Sequence, residues 1–285
     1  MHPGPRLTHV GGPTLLVELG GWRLLTDPTF DPPGRHYAFG WGTGSRKVRG
    51  PALPAAEVLP VDAVLLTHDH HADNLDDAGR ALLASVPVVV TTSAGAARLT
   101  GGRGGGGPGT PESGPVTRGS GPATRGLRPW QRTVLEAPGR PALEVTATPA
   151  RHGPPLSRPL VGDVVGFAVR VPAPDAEVLW ISGDSVLFDG LRQVADRLRV
   201  DIAVLHLGGV RFPVTGPVRY TLSAREAVEV ARLVAPRVVV PVHYEGWSHF
   251  RQGRAAVERA LASAPGEIRG RFRWLVPGTA TDLSP

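Results

Sequence analysis

The chain has 285 residues, a formal charge of +6 and no cysteine. That length supports one large domain or two small ones with a substantial core, and the 41% hydrophobic and 20% charged fractions are those of an ordinary globular protein. The missing cysteine excludes disulfides, thiolate metal sites and cysteine nucleophiles, so any metal must be held by imidazole and carboxylate. The positive charge does not point to nucleic acid. Lys47 is the only lysine, residues 101–129 hold four arginines against one glutamate, and the remainder has no arginine cluster of the kind that tracks phosphates. No apolar run approaches the length of about 18 residues that a membrane span needs. The opening MHPGPRLTHVGG lacks an apolar signal core. A cytoplasmic protein acting on a small molecule is expected.

In chain order, TLLVEL (14–19) and WRLLTD (22–27) read as strands joined at Gly20-Gly21, a hairpin signal. FDPPGRHYAFGWG (30–42) reads as an aromatic loop that either covers a site or packs onto the body of the fold. AVLLTH (63–68) and PVVVTT (87–92) are further strands, with LDDAGRALLAS (75–85) helical between them. Residues 101–126 are so rich in Gly, Pro and Ser that a flexible insertion in a surface loop is expected. Strands follow at LEVTAT (143–148), VGFAVRV (165–171), EVLWISGD (177–184), DIAVLHL (201–207) and RVVVPVH (237–243). Between and after them, 187–199, 224–234 and 250–263 carry helical spacing, and Ser223 with Glu226 forms a capping box. Most strands show little polar alternation, as expected when both faces are buried. Strands first and alternation later fit two mixed sheets packed face to face with helices outside, within a single domain. A doubly wound sheet fits that order as well.

The stretch LLTHDHHADNLDDAG (65–79) gathers His68, His70, His71, Asp69 and Asp73 just past a strand. His152, Asp184 and His243 also follow strands, and His206 lies within the run DIAVLHL. Strand ends that open into loops are where α/β folds assemble sites. Adjacent imidazoles are costly to bury without partners, so this cluster asks for a ligand.

These residues resemble the metallo-β-lactamase superfamily. Thr67-His68-Asp69-His70 is similar to the start of its H-x-H-x-D-H motif. Leu25-Thr26-Asp27-Pro28, Pro149-Ala150-Arg151-His152-Gly153, Ile181-Ser182-Gly183-Asp184-Ser185 and Val240-Pro241-Val242-His243-Tyr244 resemble its later segments in order. LLTDPTF, ISGDS, LHLGGV and VPVHYEGW look closest to the branch of ascorbate-6-phosphate lactonases and phospholipase D-like enzymes. The resemblance implies an αββα sandwich of two mixed β-sheets flanked by helices. It also implies a hydrolase that uses a metal-held water on an ester-type bond, a phosphodiester or a lactone.

One departure matters. The motif's register puts Asp at 72 and His at 73, whereas the chain has Ala72, Asp73 and Asn74. A shift of one residue keeps His68 and Asp73, makes His71 the second imidazole with His70 its rival, and leaves Asn74 in place of the last histidine. Asn is a poor zinc ligand. The expected set is then His68, His71 and His152 on one divalent ion, and Asp73 and His243 on a second, with Asp184 bridging. Zinc is expected first, with manganese or iron as alternatives. Asp73 would also take or steer a proton, His206 would touch metal or substrate, and Asp27 would fix a histidine tautomer. His36, Tyr244 and Trp247 are candidate substrate contacts. A non-hydrolytic metal sensor or redox protein on the same scaffold is the alternative that Asn74 motivates.

Overall fold

The computed structural model describes residues 4–101 and 121–284. Strands β1 (Arg6–Gly11), β2 (Thr14–Leu19) and β3 (Trp22–Thr26) form an antiparallel meander. Gly20 and Gly21 take φ of +56° and +81°, the two left-handed positions that a tight hairpin turn requires. Next come a separate hairpin, β4 (His36–Gly40) and β5 (Thr43–Arg46), then α1 (Ala55–Val58) and β6 (Ala63–Leu65). After α2 (Asp77–Leu82), β7 (Val88–Thr92) and α3 (Ser93–Leu99) comes β8 (Ala123–Leu127). The second half holds β9 (Arg132–Leu135), β10 (Leu143–Pro149), α4 (Arg158–Val161), β11 (Val165–Arg170) and β12 (Leu179–Ile181). It continues with α5 (Asp189–Arg197), β13 (Ile202–His206), α6 (Ala224–Val234) and β14 (Val238–Val242). It closes with α7 (Arg254–Ala262), α8 (Gly266–Arg269) and β15 (Ala280–Asp282).

Two mixed sheets result, in the orders β15-β1-β2-β3-β6-β7-β8 and β14-β13-β12-β11-β10-β9. Strand residues alternate between cores. Leu24, Leu65 and Val90 from one sheet meet Phe167, Ile181 and Val204 from the other between the sheets. Their neighbours Leu25, Val64 and Val89 face outward, where Val58 of α1 and Leu82 of α2 pack. On the far side Trp180, Ala203 and Val239 meet Leu191 of α5, Val230 of α6 and Val257 of α7. This double burial explains the unbroken Val/Leu runs and gives the αββα sandwich, not a single doubly wound sheet.

Strands β3, β6 and β7 run parallel, as do β12, β13 and β14. Their C-terminal ends deliver Asp27, His68, Asp184, His206 and His243 to one edge, and β10 delivers His152. Two expectations change. The segment 30–42 is not only loop, because residues 36–40 pair with 43–46 around a Trp41-Gly42 turn with φ of +54° and +73°. A bulky residue at that turn hid the signal. Most of the predicted insertion, residues 102–120, lies outside the described residues. Its last residues, 123–126, belong to β8, where pairing with the buried edge of β7 outweighs composition.

Candidate metal centre

Two buried triads meet at this edge. One nitrogen each of His68, His71 and His152 lie within 4.8 Å of one another, as do single ligand atoms of Asp73, Asp184 and His243. Hydrogen bonds fix the imidazoles of the first triad. His152 Nδ1–H donates to the Tyr220 carbonyl (2.8 Å), leaving Nε2 with its lone pair 3.2 Å from His71 Nδ1. His68 Nδ1 lies 3.0 Å from the Thr67 hydroxyl, which in turn is 3.0 Å from both oxygens of Asp27. The relay His68 Nδ1–H to Thr67 to Asp27 leaves His68 Nε2 as the acceptor. Asp27 also receives the Thr67 backbone N–H (2.7 Å). Asp27 therefore acts on His68 through a threonine, and its direct imidazole partner is His206, with Nε2 3.2 Å from Oδ2.

Asp184 stands between the triads. Oδ1 is 3.5 Å from His243 Nδ1 and Oδ2 is 4.0 Å from His152 Nδ1. Asp73 Oδ2 accepts from His243 Nε2 (3.2 Å) and His249 Nε2 (3.0 Å). Two of the residues involved, Asp27 and His243, hold φ of +34° and +56°, a backbone conformation that costs on the order of 1–3 kcal/mol and concentrates at functional sites. His68 Nε2, Asp73 Oδ1, both Asp184 oxygens and His206 Nδ1 are buried with no hydrogen-bond partner. Buried polar atoms seldom go unpaired. Nitrogen and carboxylate lone pairs converging without donors are what divalent zinc, manganese or iron requires, so these residues fit such ions.

A sequence profile of the beta-lactamase superfamily domain matches residues 22–244. The chain belongs to the beta-lactamase superfamily. A curated relative, the UPF0173 metal-dependent hydrolase of Caldivirga maquilingensis, is 28% identical over 251 residues, covering 86% of this chain and 85% of the relative. The isothiocyanate hydrolase from Delia radicum gut bacteria superposes with a TM-score of 0.74 at 20% identity, over 98% of this chain and 99% of that one. A possible metal-dependent hydrolase from Veillonella parvula gives 0.75 at 18% identity, over 98% and 100%. At these identities the two structures establish the shared sandwich fold.

Within this superfamily frame, burial sets the electrostatics. It holds His68 and His71 well below the usual imidazole range, helped by repulsion among the neighbouring rings, and His152 at about 4. All three are neutral at neutral pH and offer lone pairs. Burial pushes Asp184 up to about 6 and Asp27 to about 7. For Asp73 burial acts upward too, but hydrogen bonds from His243 and His249 outweigh it and keep the carboxyl well below its usual range. Burial opposes charge on His243, yet Asp184 and Asp73 carry it up to about 9. A cation taking the second triad would therefore have to displace a proton from His243. Cation binding there is expected to release about one proton at pH 7, and affinity to rise roughly tenfold per pH unit up to the His243 value. Calorimetry in two buffers of different ionisation enthalpy reads this directly. Equal heats in both would refute it.

The remaining expected residues divide. His70 is in neither triad, because its Nε2–H donates to the Val161 carbonyl of α4. Asn74 Nδ2 donates to Asp27 Oδ2 (3.4 Å), while its Oδ1 has no partner. Tyr244 is buried against Trp274 and His9, in the helix-covered core. Trp247 packs on Tyr37 and under the Lys47 ammonium. His36 is exposed on β4. None of these last three lines the opening of about 80 Å³ beside the triads, which Phe39, Trp41 and Phe212 wall instead. Their place after a ligand or in an aromatic segment suggested contact, but Tyr244 and Trp247 turn into packing and His36 into solvent. His249 is the residue that the strand-end pattern missed. It follows no strand, and only its nearness to His243 marked it.

Proposed function

We propose that this chain is a metal-dependent hydrolase of an ester-type bond, a phosphodiester or a lactone, holding one or two divalent ions, zinc in the first place. The reading rests on one observation: an all-imidazole triad and a carboxylate-rich triad lie side by side, buried, with Asp184 between them. His68, His71 and His152 would hold one ion, and Asp73, Asp184 and His243 the other. Such ions supply an ionised water at neutral pH and positive charge beside the attacked group.

The protein's own groups do the rest. His243 and His249 bind one oxygen of Asp73, which leaves Oδ1 to reach a cation and orient a reacting water beside it. Thr67, Asp27 and the Tyr220 carbonyl hold the imidazoles in the tautomers that leave acceptors inward. Phe39 and Phe212 limit access of bulk water. The names of the Caldivirga relative and the Delia gut-bacterial neighbour support hydrolysis on this scaffold.

Elemental analysis of the purified protein is expected to give between one and two zinc, manganese or iron ions per chain. A panel of phosphodiesters, phosphomonoesters, lactones, thioesters and an isothiocyanate should contain a substrate. His68→Ala should lose both cation and turnover. Full turnover in that variant would refute the mechanism, and coloured, redox-active iron without hydrolysis would favour a redox protein on the same scaffold.

A further inference from the structure

The hydrolase reading leaves phosphodiesters and carboxylic esters open, and the walls beside the triads separate them. The opening of about 80 Å³ lies directly against His71, Asp73, His152 and His249. Its rings touch the imidazoles. Phe39 is 5.4 Å from His71 and Tyr220 5.8 Å from His152, centroid to centroid. Phe212 stacks on His249 at 5.4 Å and 8°. Phe39 and Phe212 meet edge to face at 6.1 Å. Among the described residues, no lysine or arginine lines this opening. Arg128, Arg151 and Arg158, the last paired with Asp163, line a different cavity, of about 690 Å³, which shares only His152 and Val161 with it. There the Arg151 guanidinium lies over Phe188. At the mouth of the small opening, Trp41 is 77% and Val214 62% exposed, two large apolar side chains left in water on facing tips.

An anionic substituent packed against these rings, away from the triads, would lose water and gain no arginine or lysine as counter-charge. An apolar one would lose only unfavourable contact with water. Resting on the hydrolase reading, we infer that the substrate is an uncharged carboxylic ester or lactone whose short alkyl or aryl substituent packs in the opening against Phe39 and Phe212. Hydrolysis then adds the oxygen of water to the acyl carbon and breaks the acyl C–O bond. It leaves a carboxylic acid and an alcohol, the alcohol oxygen taking a proton from the water. Phe212 and Phe39 set the specificity.

The test uses the zinc-loaded chain and two substrate series with 4-nitrophenol as leaving group: acetate and butyrate esters, and methyl and butyl phosphodiesters. The kcat/KM of the esters is expected to rise about tenfold from acetate to butyrate, the discrimination that methylenes give in an apolar pocket. Phe212→Ala should abolish that rise, read as the ratio of butyrate to acetate kcat/KM. Thr215→Arg, which adds a cation at the pocket without removing a wall, should lower butyrate turnover and raise that of the diesters. An ester series flat in the wild type, or a diester enhancement over the uncatalysed rate that exceeds the ester one, overturns the inference and leaves the hydrolase reading standing. Turnover of neither class refutes the hydrolase reading instead. The pocket is then judged by binding of 2-phenylethanol, followed by tryptophan fluorescence. Binding that Phe212→Ala abolishes supports the apolar subsite, and no binding to the wild type overturns it.

Discussion

Exchange of Asp184 for alanine is expected to lower the cation content to at most one ion per chain and turnover by on the order of 10³-fold, several kcal/mol of lost charge stabilisation. Asp184 is completely buried, and neither oxygen has a hydrogen-bond partner. It reaches toward His152 with one oxygen and toward His243 with the other, which places it between the triads. The same exchange separates ligation from support of the fold. A carboxyl that only braced the fold would leave a less stable protein when removed. Because Asp184 also supports the charge on His243, ligation is read from the rise in unfolding temperature that added zinc gives, expected in the wild type and lost in the variant. Elemental analysis and thermal scans with and without zinc decide the point. Wild-type cation content in the variant would end the bridging role.

Lys47→Ala is expected to cost about 3 kcal/mol of stability, the lower end of what breaking a buried ion pair costs. Lys47 is the only lysine of the chain, and its Nζ lies 2.7 Å from Asp76 Oδ2 with the two side chains 3% and 0% exposed. Burial pushes the ammonium below its usual range, and Asp76 works against that fall. Asp76 also accepts the backbone N–H groups of Phe30 (2.9 Å), Asp31 (2.7 Å) and Gly79 (2.8 Å), the last of which caps α2. Without the lysine the carboxylate keeps these donors and loses its counter-charge. Because Lys47 follows β5, the aromatic hairpin should loosen as well. Denaturant unfolding measures the loss, and a change below about 1 kcal/mol would mean that the pair behaves like an exposed one.

The parts of the fold that were legible in sequence are those where one physical demand acts alone. Strands buried on both faces need unbroken apolar runs, and WRLLT, VVVTT and IAVLH lie where those runs predicted. The capping box at Ser223 and Glu226 starts α6 as read. Strand ends marked His152, Asp184 and His243 because a polar group there has few other reasons to be buried. Legibility failed where a distant partner decides. The choice between His70 and His71 depends on a carbonyl of α4 at Val161, some ninety positions later. His249 owes its place to Asp73 on one side and to the Ser45 hydroxyl (2.6 Å) on the other, neither of which is near it in sequence. The fate of Tyr244 and Trp247 was likewise set by packing partners that periodicity cannot name.

The β4–β5 hairpin forms a two-stranded sheet of its own, joined to the rest through Lys47, Ser45 and the segment around Trp247 and Ser248. The turn at Trp41 and Gly42 can therefore change residues without disturbing the register of either large sheet, whereas Phe39 and Ser45 touch His71 and His249. A lineage, or a protein engineer grafting a different turn, can retune what enters at the outermost residues while leaving the inner ones in place.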